Sequence, residues 1–143
     1  MKPEEIGAYI NSRLKYYLQT FLLTFKSNET FLTEEDKDLI YGTLVYLILD
    51  NDYIPDDVPH IGYFDDMRVF VEATRYFLAK HPETSDLIDR KALVEDLDFI
   101  EKCKGITFDS GEIDIRYIKA LGKKNTMSYQ ELSKEVMKKY ASL

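Results

Sequence analysis

Residues 39–49 form an uncharged run in which Leu39, Ile40, Tyr41, Leu44, Val45, Tyr46, Leu47, Ile48 and Leu49 are broken only by Gly42 and Thr43. A membrane span needs about 20 such residues, so this one is too short to cross a bilayer. As a helix it is apolar nearly all round and has no face to offer water, which places it at the centre of a packed fold. Directly after it, residues 50–66 hold six aspartates and no Lys or Arg, with Pro55, Pro59 and Gly62 breaking regular structure. The fold must therefore bury the first stretch and compensate or solvate the second.

Helical periodicity surrounds this pair. Pro3, followed by Glu4 and Glu5, opens a first helix over residues 3–26, because proline suits the first turn and acids complement the dipole there. Ile6, Tyr9, Ile10, Leu14, Tyr17, Leu18, Phe21, Leu22 and Phe25 mark its apolar face. Thr33 before Glu34, Glu35 and Asp36 reads as the N-cap of the second helix. A third resumes near Asp65 with Met67, Phe70, Val71, Thr74, Phe77 and Leu78 on one face, and ends at His81 and Pro82. A fourth is expected over residues 84–104 on Leu87, Ile88, Val94, Leu97 and Ile100. Two shorter helices follow, residues 110–121 stopped by Gly122, and residues 128–140 opened by the Ser128 and Glu131 capping-box spacing. Within the first of these, Ile113, Ile115 and Tyr117 alternate with Asp114 and Arg116, the pattern of a short strand. The expectation is an all-α fold: one compact bundle of five or six helices spanning residues 1–143, the second helix central, and residues 106–143 a C-terminal helical extension.

Composition narrows the function classes. The 19 aromatic residues, 11 Tyr and 8 Phe, and 45% apolar content supply a core. A net charge of −7 argues against nucleic acid, whose binding needs clustered Lys and Arg. The charge is uneven: residues 1–104 hold 21 acids and 12 bases, residues 105–143 hold 5 acids and 7 bases. A single cysteine, Cys103, excludes an intrachain disulfide. Lys102 and Lys104 flank it and would lower its pKa, but no histidine is near in sequence, and a nonreactive thiol is expected. The acidic start of the chain lacks the basic and apolar regions of a signal peptide, so a cytoplasmic location is expected.

The acidic connector has internal spacing. Asp52, Pro55, Asp56, Gly62, Asp65 and Asp66 spell D-x-x-P-D-x5-G-x-x-D-D, preceded by the apolar helix with Tyr46. In this it resembles the YkvA-like family, small domains of unknown function, over residues 34–72. The resemblance implies a helix, an acidic connector and a second helix packed as a hairpin, and no reaction. Leu49, Asp50 and Asn51 replace the family's usual Ser-Pro-Ile, and Asp57 stands where an apolar residue is common. Both departures point away from membrane association.

Six ionised carboxylates in 17 residues repel one another unless something compensates. Helix N-termini are the simplest answer: Asp65 or Asp66 can accept from the first amides of the third helix, while Asp52 and Asp56 organise the Pro55 turn. The alternative is a divalent cation, Ca²⁺ or Mg²⁺, held by Asp50, Asp52, Asp56, Asp65 and Asp66 and regulatory or supporting hydrolysis. It would not be an EF-hand, because counting from Asp50 position 6 is Pro55 and position 12 is Ile61. His60 reads as a solvent-facing loop residue, His81 as a helix C-terminal residue favouring the dipole. Arg68, Glu72 and Arg75 have ion-pair spacing on a solvated face, and Tyr9, Tyr16 and Tyr17 are either amphipathic core residues or a partner surface. No catalytic constellation assembles and no cofactor beyond that cation is expected. The sequence favours a non-enzymatic protein-binding or adaptor module, with a protein partner or self-association.

Overall fold

In the computed structural model the described residues form the α-helices α1 (Pro3–Ser27), α2 (Glu34–Ile48), α3 (Phe64–Lys80), α4 (Arg90–Cys103), α5 (Ile115–Lys124) and α6 (Tyr129–Lys139). The structure describes residues 2–27, with side chains as far as Thr20, and residues 32–49, 63–81, 89–103 and 113–141; no strand occurs among them. The fold is all-α, as expected.

Helix α2 is central, packing against α3, α5 and α6. Its start is a capping box: the Thr33 hydroxyl accepts from the Asp36 amide at 3.1 Å, and the Asp36 carboxylate accepts from the Thr33 amide at 2.9 Å. Asp36 is buried, and its Oδ2 also lies 2.9 Å from Nε2 of His81, the C-cap residue of α3. Burial pushes the Asp36 carboxyl up, but the Thr33 amide and hydroxyl and the His81 ring outweigh it and hold the group below the usual carboxylate range. One aspartate thereby starts α2 and ties it to the end of α3. Ser128 caps α6 in the expected way, accepting from the Glu131 amide at 3.2 Å.

Helix α3 shares the centre, meeting α1 and α4 as well as α2. The amphipathic helix expected here is buried all round in its first half: every residue from Phe64 to Val71 is buried, including Asp65, Asp66 and Arg68. Three charges in the first turns disguise a core helix as a surface one.

Other expectations need correction. Helix α4 begins at Arg90 rather than near residue 84, because the Asp89 carboxylate caps it, accepting from the Lys91 and Ala92 amides at 3.0 and 3.2 Å; residues 84–88 lie outside the described residues. Its buried face is Leu93, Asp96, Phe99, Ile100 and Cys103, which turns Val94 outward to 65% exposure. Ile115 and Tyr117 belong to a helix, not a strand, capped by Asp114 accepting from the Arg116 amide at 2.9 Å. Gly122 does not stop α5. It lies inside the helix, buried where α5 crosses Gly42 of α2 in backbone contact.

Three helices also meet on the surface at Glu35. Its carboxylate accepts from Tyr76 at 3.0 Å and Lys80 at 2.9 Å, both on α3, and from Lys119 on α5. Lys119 first, then Lys80 and Tyr76, hold the carboxyl down at about 2 against an ordinary 4.5. A carboxylate depressed by folding contributes stability that is complete above its unfolded pKa and is lost as pH falls through its folded one. The difference in urea midpoint between wild type and Glu35→Gln is therefore expected to be full at pH 6, to shrink below pH 4.5 and to vanish near pH 2. Because Glu35 is half exposed, the difference should also shrink in 1 M salt. A midpoint difference unchanged from pH 6 to pH 2 would refute this account.

Candidate functional site

The end of α2, the start of α3 and the end of α6 converge on one buried polar cluster. Leu47 and Tyr46 come from the last turn of α2, which closes with the Leu49 amide donating to the Tyr46 carbonyl at 3.2 Å. Tyr63 occupies the N-cap position of α3, so Asp65 and Asp66 fall in its first turn. Both aspartates are buried, at 1% and 0% exposure. The Tyr46 hydroxyl donates to Asp65 Oδ2 at 3.2 Å. From α6, the Tyr140 hydroxyl donates to Asp66 Oδ2, and Lys139 Nζ lies 3.3 Å from the same oxygen. Lys139 also donates to the Leu47 carbonyl. The Tyr63 and Tyr140 rings meet edge to face with centroids 5.3 Å apart.

Chemically this is a clasp. Two buried carboxylates at the head of α3 cost desolvation energy, and a lysine and two tyrosines offset it. Since Lys139 touches both Leu47 and Asp66, it fastens together the two helix ends that flank the acidic connector. Of the residues singled out in the sequence, the neighbours Asp65 and Asp66 are thus buried in the clasp, while Asp50, Asp52, Pro55, Asp56 and Gly62, with Asp57 and His60, lie outside the described residues. Among the described residues no three His, Cys, Asp or Glu side chains are grouped closely enough to hold a metal ion.

A further buried carboxylate engages two of the three α1 tyrosines. Asp96 on α4 is fully buried and receives three side chains from α1: Tyr9 at 2.6 Å, Tyr17 at 2.5 Å, and Arg13, whose Nε is 3.0 Å from both oxygens. Burial first, then the hydrogen bond to Asp96, raises the pKa of both tyrosines, which keeps them as donors. The Tyr16 hydroxyl accepts from the Asp89 amide at 3.2 Å. All three tyrosines are thus engaged within the fold. On α3, the Glu72 and Arg75 pair is on the surface at 2.5 Å as the spacing predicts, but Arg68 is 2% exposed rather than solvated. It lines a cavity of about 440 Å³ with Glu72, Arg75, Asp98 and Glu101. Cys103 is buried, and burial pushes its thiol pKa up; Lys102, expected to lower it, pairs instead with Asp98 at 2.8 Å.

Residues 37–71 match the family model described as "Protein of unknown function (DUF1232)". This stretch is a DUF1232 domain. It is the YkvA-like segment expected from the aspartate spacing, and it runs from the first turn of α2 through the connector to the middle of α3. No curated protein and no solved structure matches the chain. Within the DUF1232 stretch lie Tyr46, Leu47, Asp65 and Asp66; Lys139 and Tyr140, which complete the clasp, lie 68 and 69 residues beyond its end. Sequence reasoning missed both, because the bonds they make connect residues 73 and 74 apart and leave no local pattern. Asp96 did leave one: it is a charge in the buried phase of α4, opposite a stripe of Tyr9, Arg13 and Tyr17 at four-residue spacing. Among the described residues no helix is long and apolar enough to cross a membrane.

Proposed function

We propose that this chain is a non-enzymatic binding module in which the helical frame carries the DUF1232 connector as an acidic docking element for a partner protein with a basic surface. The observation that supports this reading is the clasp: Lys139 ties the Leu47 carbonyl to Asp66, holding the two ends of the connector together. Helix ends held at a fixed separation make a preorganised frame, which lowers the entropy cost of binding. The connector's own composition, Asp50, Asp52, Asp56 and Asp57 with no Lys or Arg in residues 50–62, supplies the charge, while Asp65 and Asp66 are taken up by the clasp. The buried carboxylates of the frame, Asp36, Asp65, Asp66 and Asp96, have protein hydrogen-bond donors, which suits holding helices together.

The test is capture of partner proteins by the immobilised chain, compared with a variant carrying Asp50→Lys, Asp52→Lys, Asp56→Lys and Asp57→Lys and with a control carrying Glu95→Lys and Glu135→Lys. Capture is expected to survive the control and to fall at least about tenfold in the connector variant, since like-charge contacts at an interface cost several kcal/mol. Equal capture by all three chains would end the docking reading. Calorimetric titration with Ca²⁺, Mg²⁺ and Mn²⁺ separates the cation alternative: saturable heat lost in Asp52→Asn and Asp56→Asn would replace docking with a metal site.

A further inference from the structure

We propose that the α2–α3 junction is a binding cage for a primary ammonium group and that the chain's own Lys139 is its resident ligand. Among the described residues, four groups surround the Lys139 ammonium. The Leu47 carbonyl accepts from it, Asp66 Oδ2 lies 3.3 Å away, and the Tyr140 and Tyr63 ring centroids stand 5.3 and 5.9 Å from Nζ. A carbonyl, a carboxylate and two aromatic faces are the groups that attract an alkylammonium: the oxygens take its N–H donors and the rings favour its positive charge within about 6 Å. The helix adds to this, because Leu47 lies in the last turn of α2, where the dipole is negative and no basic residue offsets it.

The occupant is suited to leave. Lys139 is the last residue of α6, its side chain keeps 18% exposure, and a lysine stem is long and flexible. By contrast Asp66 is fully buried, fixed on α3 and held by Tyr140, so the cage is the rigid partner. A lysine from a docked protein can replace Lys139 without new chemistry, at the point where the connector rejoins the helices. Lys139 then acts as a built-in competitor that sets the affinity of the connector for basic partners. The cage follows from the described contacts alone; the role of competitor rests on the docking reading above.

Chemical rescue of the full chain tests this. In Lys139→Ala, n-propylammonium chloride is expected to raise the melting temperature by about 3 °C or more over sodium chloride at equal ionic strength. Tetramethylammonium, which has no N–H donor, should not. Wild type, with its cage filled, should respond equally to all three salts. Should Lys139→Ala fail to fold, Lys139→Met keeps the apolar stem, and methylammonium replaces propylammonium as the probe. Equal responses to alkylammonium and sodium in the variant, or the same alkylammonium gain in wild type, would overturn the cage. The competitor role is read with acetyl-trilysine amide. Lys139→Ala is expected to bind it about tenfold more tightly than wild type, as removal of an internal ligand present about nine-tenths of the time requires. Equal measurable affinities would overturn the competitor role. Alkylammonium rescue without peptide binding to either chain would uphold the cage and count against the docking reading instead.

Discussion

Gly42→Ala is expected to destabilise the chain by about 3 kcal/mol, read as a lower urea midpoint with an unchanged slope. The sign is the informative part. In a helix interior, alanine is favoured over glycine by about 1 kcal/mol, so local propensity predicts a stabilised protein. The structure predicts the reverse, because a Cβ at Gly42 would sit 1.7 Å from the Ile118 carbonyl oxygen and 2.7 Å from its carbon. The contact is reciprocal: a Cβ at Gly122 would sit 1.8 Å from the Asp38 carbonyl oxygen and 2.8 Å from the Gly42 amide nitrogen. These are backbone atoms, which no rotamer change can move aside. Accommodating one methyl would push α2 and α5 apart and open the buried side of Ile118, which puts the cost at the upper end of the usual overpacking range. Once one substitution has parted the helices, the second clashes less, so Gly42→Ala combined with Gly122→Ala should cost clearly less than the sum of the two. A gain of stability in Gly42→Ala would show that the helices do not touch through their backbones.

The second large effect is expected at Asp96. Asp96→Ala should cost about 3 kcal/mol, because it strands Tyr17, 1% exposed, and leaves the Arg13 charge without its counterion. Removing one partner of a buried ion pair costs about 3 to 5 kcal/mol, and the 21% exposure of the Arg13 side chain places this case at the lower end. Replacing the whole group is gentler than breaking it. Asp96→Leu with Tyr9→Phe, Tyr17→Phe and Arg13→Met should recover most of the loss, since no buried donor is then left without an acceptor. If Asp96→Ala stayed within about 0.5 kcal/mol of wild type, the carboxylate would not be holding α1 to α4.

Helix existence was legible along the chain because it rests on short-range rules. Pro3 with Glu4 and Glu5, Thr33 with Asp36, and Ser128 with Glu131 each announce a helix start within four residues, and each lies where the structure begins one. The aspartate spacing likewise identified the DUF1232 stretch, since a family signature is a property of order and not of contact. Reading failed where local cues conflict with distant ones. Gly122 looks like a helix stop, yet it serves a helix crossing 80 residues away in sequence. Val94 looks like a core residue, yet Asp96 takes the buried register because three α1 side chains satisfy it.

Burial of charge is the general case. By itself the sequence determined an all-α chain with a central apolar helix, followed by an acidic connector of recognisable spacing. Periodicity, capping and charge order are written in neighbouring residues, which makes these properties readable in one dimension. Only the tertiary structure decided that Asp65 and Asp66 belong to the core and that α6 closes the clasp over them. A carboxylate is stable inside a protein only if donors reach it, and those donors, Tyr46, Lys139 and Tyr140, come from helices that meet the aspartates only once the chain is packed.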